Sequence, residues 1–220
     1  MGICHLIGAM PATIKPQLKK GDILVAVDGG YQQILDWGLE PDIILGDFDS
    51  LGYVPKGENI LSLPVRKDET DMEYAMNLGI KEGFSSFMLQ GALGGRLDHS
   101  YANLQLLHRL SLEGKNAVCL GAGENAMILT EGTLRFPSHF TGYLSLFALG
   151  KEAKGIDLKH LSYSGENLTL SPTVPMGVSN EFLLGESAEI MVKDGSLLVL
   201  WRGVWDYESY CLLAEKTLQN

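Results

Sequence analysis

The sequence predicts an α/β protein in two parts. An N-terminal, mostly parallel sheet with flanking helices occupies residues 1–130, and an all-β sandwich domain follows over 131–220. Short apolar runs alternate with helical periodicity through the first part, the pattern of strands joined by crossover helices. Those runs end in loops rich in glycine and aspartate. Beyond about residue 130 the helical spacing gives way to short strand-like runs between turns.

The elements follow in order. Residues 23–27 form a β-branched apolar run that ends in Asp28-Gly29-Gly30, and Ile34, Leu35 and Trp37 then mark a helix that stops at Gly38. Residues 42–45 are the next strand, and 59–64 a weaker one. Thr70-Asp71-Met72-Glu73 fits a capping box, with Ala75, Met76 and Ile80 at helical spacing behind it. Residues 87–89 make a strand that feeds Gly91-Ala92-Leu93-Gly94-Gly95. The helix beyond places Tyr101, Leu104, Leu107 and Leu110 on one face. Residues 117–120 repeat the strand-then-glycine pattern. In the second part, 133–136, 143–149, 167–170, 188–192 and 196–201 read as strands, and Lys193-Asp194-Gly195 carries the signal of a tight hairpin. Residues 207–220 have loose helical spacing through Leu212, Leu213 and Leu218.

Composition narrows the function. The 220 residues carry a net charge of −10, which argues against a nucleic-acid-binding face. A phosphorylated small molecule stays compatible, because a bound metal supplies local positive charge. Cys4, Cys119 and Cys211 are widely spaced and odd in number, so they read as reduced thiols of a cytoplasmic protein. There is no signal peptide pattern, and no apolar segment approaches the roughly 18 residues that span a bilayer.

Four acidic or glycine-rich loops follow strands, and a doubly wound sheet gathers such loops along its carboxyl edge, where ligands bind. In Gly46-Asp47-Phe48-Asp49-Ser50 the two acids are two residues apart, on one side of extended backbone. They suit a hard divalent cation such as Mg²⁺; an Asp- and Gly-rich turn is the alternative. Asp71, at a helix start, is a third ligand or a simple dipole partner. Gly91, Gly94 and Gly95 ahead of a helix let backbone N–H groups approach phosphate, or make a tight turn. Arg96 and Lys67 are cations for phosphate or solvated surface residues. Asp98 is a base, a ligand or a helix cap, and His99 beside it is a candidate acid–base group. The run lacks the Gly-Lys-Ser/Thr ending of a Walker A loop, which disfavours a P-loop kinase.

These runs, in this order, resemble the thiamine pyrophosphokinase (thiamine diphosphokinase) family: Asp28-Gly29-Gly30, Gly46 through Ser50, Lys67-Asp68-Glu69-Thr70-Asp71 and Gly94-Gly95-Arg96-Leu97-Asp98-His99, with Asn103 one turn on. Gly177-Val178-Ser179-Asn180-Glu181-Phe182 resembles the family's Ser-Asn segment at the thiamine site. The resemblance implies transfer of a pyrophosphoryl group from ATP to the hydroxyl of thiamine, by attack on the β-phosphorus and release of AMP. It implies Mg²⁺ on Asp47, Asp49 and Asp71, with Asp28 and Asp98 nearby. Asp28, Gly29, Gly30, Lys67, Gly91, Gly94, Gly95 and Arg96 then hold ATP, while Asp71, Arg96 and Asp98 are catalytic. Ser179, Asn180 and Trp201 meet thiamine, although Trp201 equally suits a core position. It also implies a homodimer with the acceptor site between subunits. Two other functions stay open: a pyrophosphotransferase for another alcohol, such as a pterin, and a non-catalytic nucleotide or thiamine sensor.

Overall fold

The computed structural model describes residues 2–48, 51–55, 59–64, 68–204 and 206–215. Asp49, Ser50 and Lys67 lie outside them. The described chain forms two compact units, residues 1–106 with 119–122, and residues 107–118 with 123–220. The chain enters the second unit at Leu107 and returns to the first over 119–122.

The first unit holds β1 (Cys4–Ile7), β2 (Ile23–Val27), α1 (Gly30–Asp36), β3 (Ile43–Gly46), β4 (Ile60–Ser62), α2 (Asp71–Lys81) and β5 (Ser86–Gln90). The strands lie in the order β5-β1-β2-β3-β4. Each neighbouring pair is parallel, as predicted. From β1 the chain steps outward through β2, β3 and β4, then crosses back to put β5 on the other side of β1. That reversal is a topological switch point, where open α/β sheets bind ligands.

β1 was not predicted, because His5 interrupts its apolar run. His5 is fully buried, with Nε2 3.6 Å from Asp22 Oδ2. Burial pushes its pKa down to about 4, against the opposing pull of Asp22. Asp22 also accepts the N–H groups of Ile3 and Lys19, at 2.8 Å each, which ties β1 to the start of β2.

Local signals set the helices. Gly38 ends α1 at φ +66, with its N–H on the Leu35 carbonyl, a glycine C-terminal cap. Thr70 caps α2, its hydroxyl accepting the Glu73 N–H at 3.1 Å. α2 buries Met72, Ala75, Met76 and Gly79. A Cβ on Gly79 would stand 2.8 Å from Cys4 Sγ and from the Phe87 ring, so only glycine lets this helix lie so close to β1 and β5. α3 (Leu97–Leu112) starts in the first unit and ends in the second. Its buried face is Asn103, Leu106, Leu107 and Leu110. Tyr101, predicted on that face, is exposed, since the stripe is rotated toward the i, i+3, i+4 set that contains Asn103.

The second unit contains part of β6 (Asn116–Leu120), then β7 (Glu124–Arg135), β8 (Tyr143–Lys159), β9 (Gly165–Leu170), β10 (Gly177–Glu181), β11 (Glu189–Arg202) and α4 (Tyr207–Glu215). Between α3 and α4 its described residues form strands without a helix, longer than predicted: 188–192 and 196–201 are one strand, β11, and β10 was not expected. β11 pairs antiparallel with both β7 and β8. The Lys193-Asp194-Gly195 run is not a hairpin turn. β11 continues through it with a register shift and Gly195 at φ +95, as a bulge that bends the strand. Phe136 sits against Phe140, Phe182 and Trp201 at ring separations of 5.0–5.3 Å, and Tyr207, Tyr210, Cys211 and Leu213 of α4 are buried.

Candidate active site

A cleft of about 480 Å³ opens at the carboxyl ends of the first unit's strands. Its walls are Gly8–Met10 after β1, Asp28 after β2, Thr70–Met72 at the start of α2, Gly91, Ala92, Gly94 and Arg96 after β5, and Asp98, His99, Ala102 and Asn103 on α3. This is the β1/β5 switch point. The Gly8–Met10 wall went unnoticed in the sequence for the same reason as β1. The signal was an apolar run closing on glycine.

One carboxylate oxygen from each of Asp28, Asp47 and Asp71 falls within 4.8 Å of the others, and all three residues are half-buried. The backbone holds this cluster in unfavourable conformations. Asp28 has φ +51 and Phe48 has φ +61, a region non-glycine residues visit at a cost and often at functional sites. Phe48 is anchored with its side chain in the apolar cluster of Ile7, Leu24, Ala26, Ile34 and Ile44. Asp47 is therefore pinned between that anchor and Gly46. Gly46 lies against Asp28, where an added Cβ would meet the Asp28 Cα at 3.0 Å. Asp49, the acid read together with Asp47, lies outside the described residues. The third acid brought together is Asp28, which the sequence grouped with the phosphate loops.

The glycines divide into two kinds. Gly30 and Gly91 serve close packing: a Cβ on Gly30 would strike the Ile7 carbonyl, and one on Gly91 the carbonyls of Gly8 and Met10. Gly29 precedes α1 without a side-chain cap. Gly95 lies against the Met10 thioether, whereas Gly94 faces open space at φ +96. Ser100 braces this turn. Its hydroxyl accepts the Gly94 N–H at 3.1 Å and lies within donor reach of the Gly94 and Arg96 carbonyls. The N–H groups of Gly95 and Arg96 have no partner among the described residues. Asn103 Nδ2 donates to the Ala92 carbonyl at 2.6 Å, fixing the other end of the loop.

Arg96 and Asp98 form a two-point ion pair, Nε to Oδ1 at 3.1 Å and Nη2 to Oδ2 at 2.5 Å, on an exposed rim. The Arg96 hydrogen bonds hold the Asp98 carboxyl below the usual carboxylate range, helped by the His99 N–H. Asp98 is thereby a weak base and a good holder of Arg96.

In the second unit, Ser179 is exposed on β10 at φ +60, and its N–H donates to Ser145 Oγ at 3.1 Å. Asn180 is buried. Its Oδ1 accepts the N–H groups of Tyr163 and Glu181, and its Nδ2 donates to the Tyr163 carbonyl, each at 2.9 Å. Trp201 is 1% exposed and packs edge-on against Phe136. Such burial fits the core position and not an open stacking face. A Ser209, His139 and Asp206 group nearby has the composition of a nucleophilic triad. However, Asp206 accepts both the N–H and the hydroxyl of Ser209 and Ser209 is buried, which makes the group a cap for α4.

Comparison with known proteins gives these features a family. Residues 14–120 match the model of the thiamin pyrophosphokinase catalytic domain, and 131–197 that of the thiamin pyrophosphokinase vitamin B1 binding domain. The chain is 27% identical over 119 residues to a protein named thiamine pyrophosphokinase from Bacillus subtilis, a match covering 50% of this chain and 56% of that one. It is 24% identical to thiamin pyrophosphokinase 1 of Caenorhabditis elegans, across 90% of this chain and 87% of the other. The crystal structure of the Bacillus subtilis thiamine pyrophosphokinase superposes with a TM-score of 0.79 at 19% identity, over 92% of this chain and all of that one, and so shares the fold. With both domain models matched in order along the chain, this protein belongs to the thiamine pyrophosphokinase family.

Proposed function

We propose that the chain is an ATP:thiamine pyrophosphotransferase, giving thiamine diphosphate and AMP. The observation that carries this reading is the convergence of Asp28, Asp47 and Asp71 at the switch point, beside a glycine turn with open N–H groups. Family membership supplies the acceptor.

Three half-buried carboxylates this close repel one another and suit a hard cation with oxygen ligands, so the residues present fit Mg²⁺, with Asp49 as a further ligand. When bound, the ion neutralises polyphosphate charge and orients the β-phosphorus for in-line displacement. The protein's own residues supply the rest. The N–H groups of Gly95 and Arg96 meet phosphate oxygens at the start of α3. Arg96 carries positive charge to the rim, with Asp98 setting its orientation. Asn103 and Ser100 keep the loop rigid, so little reorganisation is needed during reaction. Lys67 adds a second cation.

The acceptor is assigned to the second unit through Ser179, with Asn180 shaping the adjoining backbone and Trp201 supporting it from the core. We further propose a homodimer, in which the ATP loops of one copy work with the Ser179 segment of the other. A cytoplasmic setting suits Cys4, Cys119 and Cys211, which are all buried and form no disulfide. Among the described residues, no helix is long and apolar enough to cross a membrane.

Mass spectrometry of products from ATP, Mg²⁺ and thiamine tests the reading. AMP with thiamine diphosphate is expected. ADP with thiamine monophosphate would indicate ordinary phosphoryl transfer, and binding without turnover would indicate a sensor. Product from a pterin alcohol but not from thiamine would reassign the acceptor.

A further inference from the structure

The Gly8–Ala12 segment, of which Gly8, Ala9 and Met10 line the cleft, is held from outside the cleft by a single side chain. Gln33 on α1 donates from Nε2 to the carbonyls of Gly8 and Met10, at 2.6 and 2.8 Å. Its Oε1 accepts the Ala12 N–H at 2.7 Å. A carboxamide has two donor hydrogens and one acceptor oxygen, so each function is engaged with one short loop. The neighbouring N–H groups are also committed: Gly8 donates to Gln90 O at 2.7 Å and Met10 to Gly91 O at 3.0 Å. Pro11 has none. Ala9 is left as the residue of this segment whose N–H has no partner among the described residues, and Ala9 is exposed and lines the cleft.

A polyphosphate is repelled by carbonyl oxygens and attracted by N–H groups. Gln33 binds two of the loop's carbonyls and so keeps them occupied, while the open donor remains on the cleft side. The loop is also coupled to the glycine turn, because Met10 Sδ occupies the place a Cβ on Gly95 would need.

The geometry points to Gln33 as a positioning residue that presets the β1 loop, and with it the Ala9 N–H, as an anion-binding wall for the polyphosphate. This rests on the assignment of the cleft to ATP. Gln33 does not line the cleft, so its effect is indirect, through the loop that it holds.

The experiment compares wild type, Gln33→Leu, Gln33→Glu and Ala9→Pro as full-length chains. Affinity for MgATP and for inorganic tripolyphosphate is measured by calorimetry, KM for ATP and for thiamine by steady-state assay, and folding by thermal melts. Gln33→Leu removes all three bonds. Gln33→Glu keeps the acceptor for Ala12 but sets oxygens against the two carbonyls. Ala9→Pro deletes the open N–H and leaves Gln33 in place. Each is expected to weaken MgATP and tripolyphosphate binding about tenfold or more, with the thiamine KM within about twofold of wild type. Unchanged anion affinity in folded Gln33→Glu or in Ala9→Pro would overturn the inference, as would equal losses for ATP and thiamine. Should Gln33→Leu fail to fold, the other two decide. A wild-type chain that binds neither MgATP nor tripolyphosphate would instead overturn the ATP assignment itself.

Discussion

Replacing Asp28 with Asn separates the two consequences of a crowded carboxylate cluster. Its carboxylate oxygen lies within 4.8 Å of one on Asp47 and one on Asp71. At that separation each like-charge pair costs about 3 kcal/mol at an effective dielectric constant of roughly 20. The groups are half-exposed, so solvent screening leaves a net relief on the order of 1–2 kcal/mol when one charge is removed. Asparagine keeps the size of the side chain and tolerates the φ of +51 at this position. Without divalent metal, Asp28→Asn should therefore melt higher than wild type, by roughly 2–8 °C for a chain of this length. Mg²⁺ should reverse the order. At about 100 times its Kd it stabilises wild type by about 2.7 kcal/mol, whereas the variant has lost a ligand. Turnover should fall on the order of 100-fold or more. Thermal melts in EDTA and in MgCl₂, with an AMP-release assay, measure all three. A variant that melts below wild type in EDTA and keeps the full Mg²⁺ shift would refute the argument that these acids form one cation site.

Asn180→Ala should lower stability by about 2–3 kcal/mol in urea unfolding, because three backbone groups lose their partner; an unchanged midpoint would show that the clamp on Tyr163 contributes nothing. The same variant should raise the KM for thiamine well beyond that for ATP. Mixing Asp28→Asn chains with Asn180→Ala chains should restore part of the activity if sites are shared between copies, since some heterodimer sites then carry neither lesion, and absence of recovery despite proven exchange would place each site within one chain. His5 sets an acid limit. Its folded pKa, lowered to about 4, lies below its unfolded value, so its contribution is complete above about pH 6.5 and is lost as pH falls toward 4. His5→Gln should flatten the decline in urea stability across that window, and a decline as steep as in wild type would assign it to other groups.

The parts legible in the sequence were those whose cause lies within a few residues. Thr70 and Glu73 announce the start of α2, Gly38 the end of α1, and the apolar runs closing on Asp28, Asp47 and Gly91 the strand ends. The family resemblance followed from those loops because they stay in order along the chain. β1 escaped because one buried histidine, neutralised by its surroundings, imitates a polar break. The Lys193-Asp194-Gly195 run has the local chemistry of a hairpin, but pairing of β11 with strands on both sides makes it a bulge. Only the tertiary structure decided that Asp28 joins Asp47 and Asp71, that Asn180 is consumed by Tyr163, and that Gln33 reaches the loop beyond β1. Each depends on strand order and register, which bring together residues tens of positions apart. A chain's local preferences act over one turn or one strand and carry no information about which loops a crossover will make neighbours.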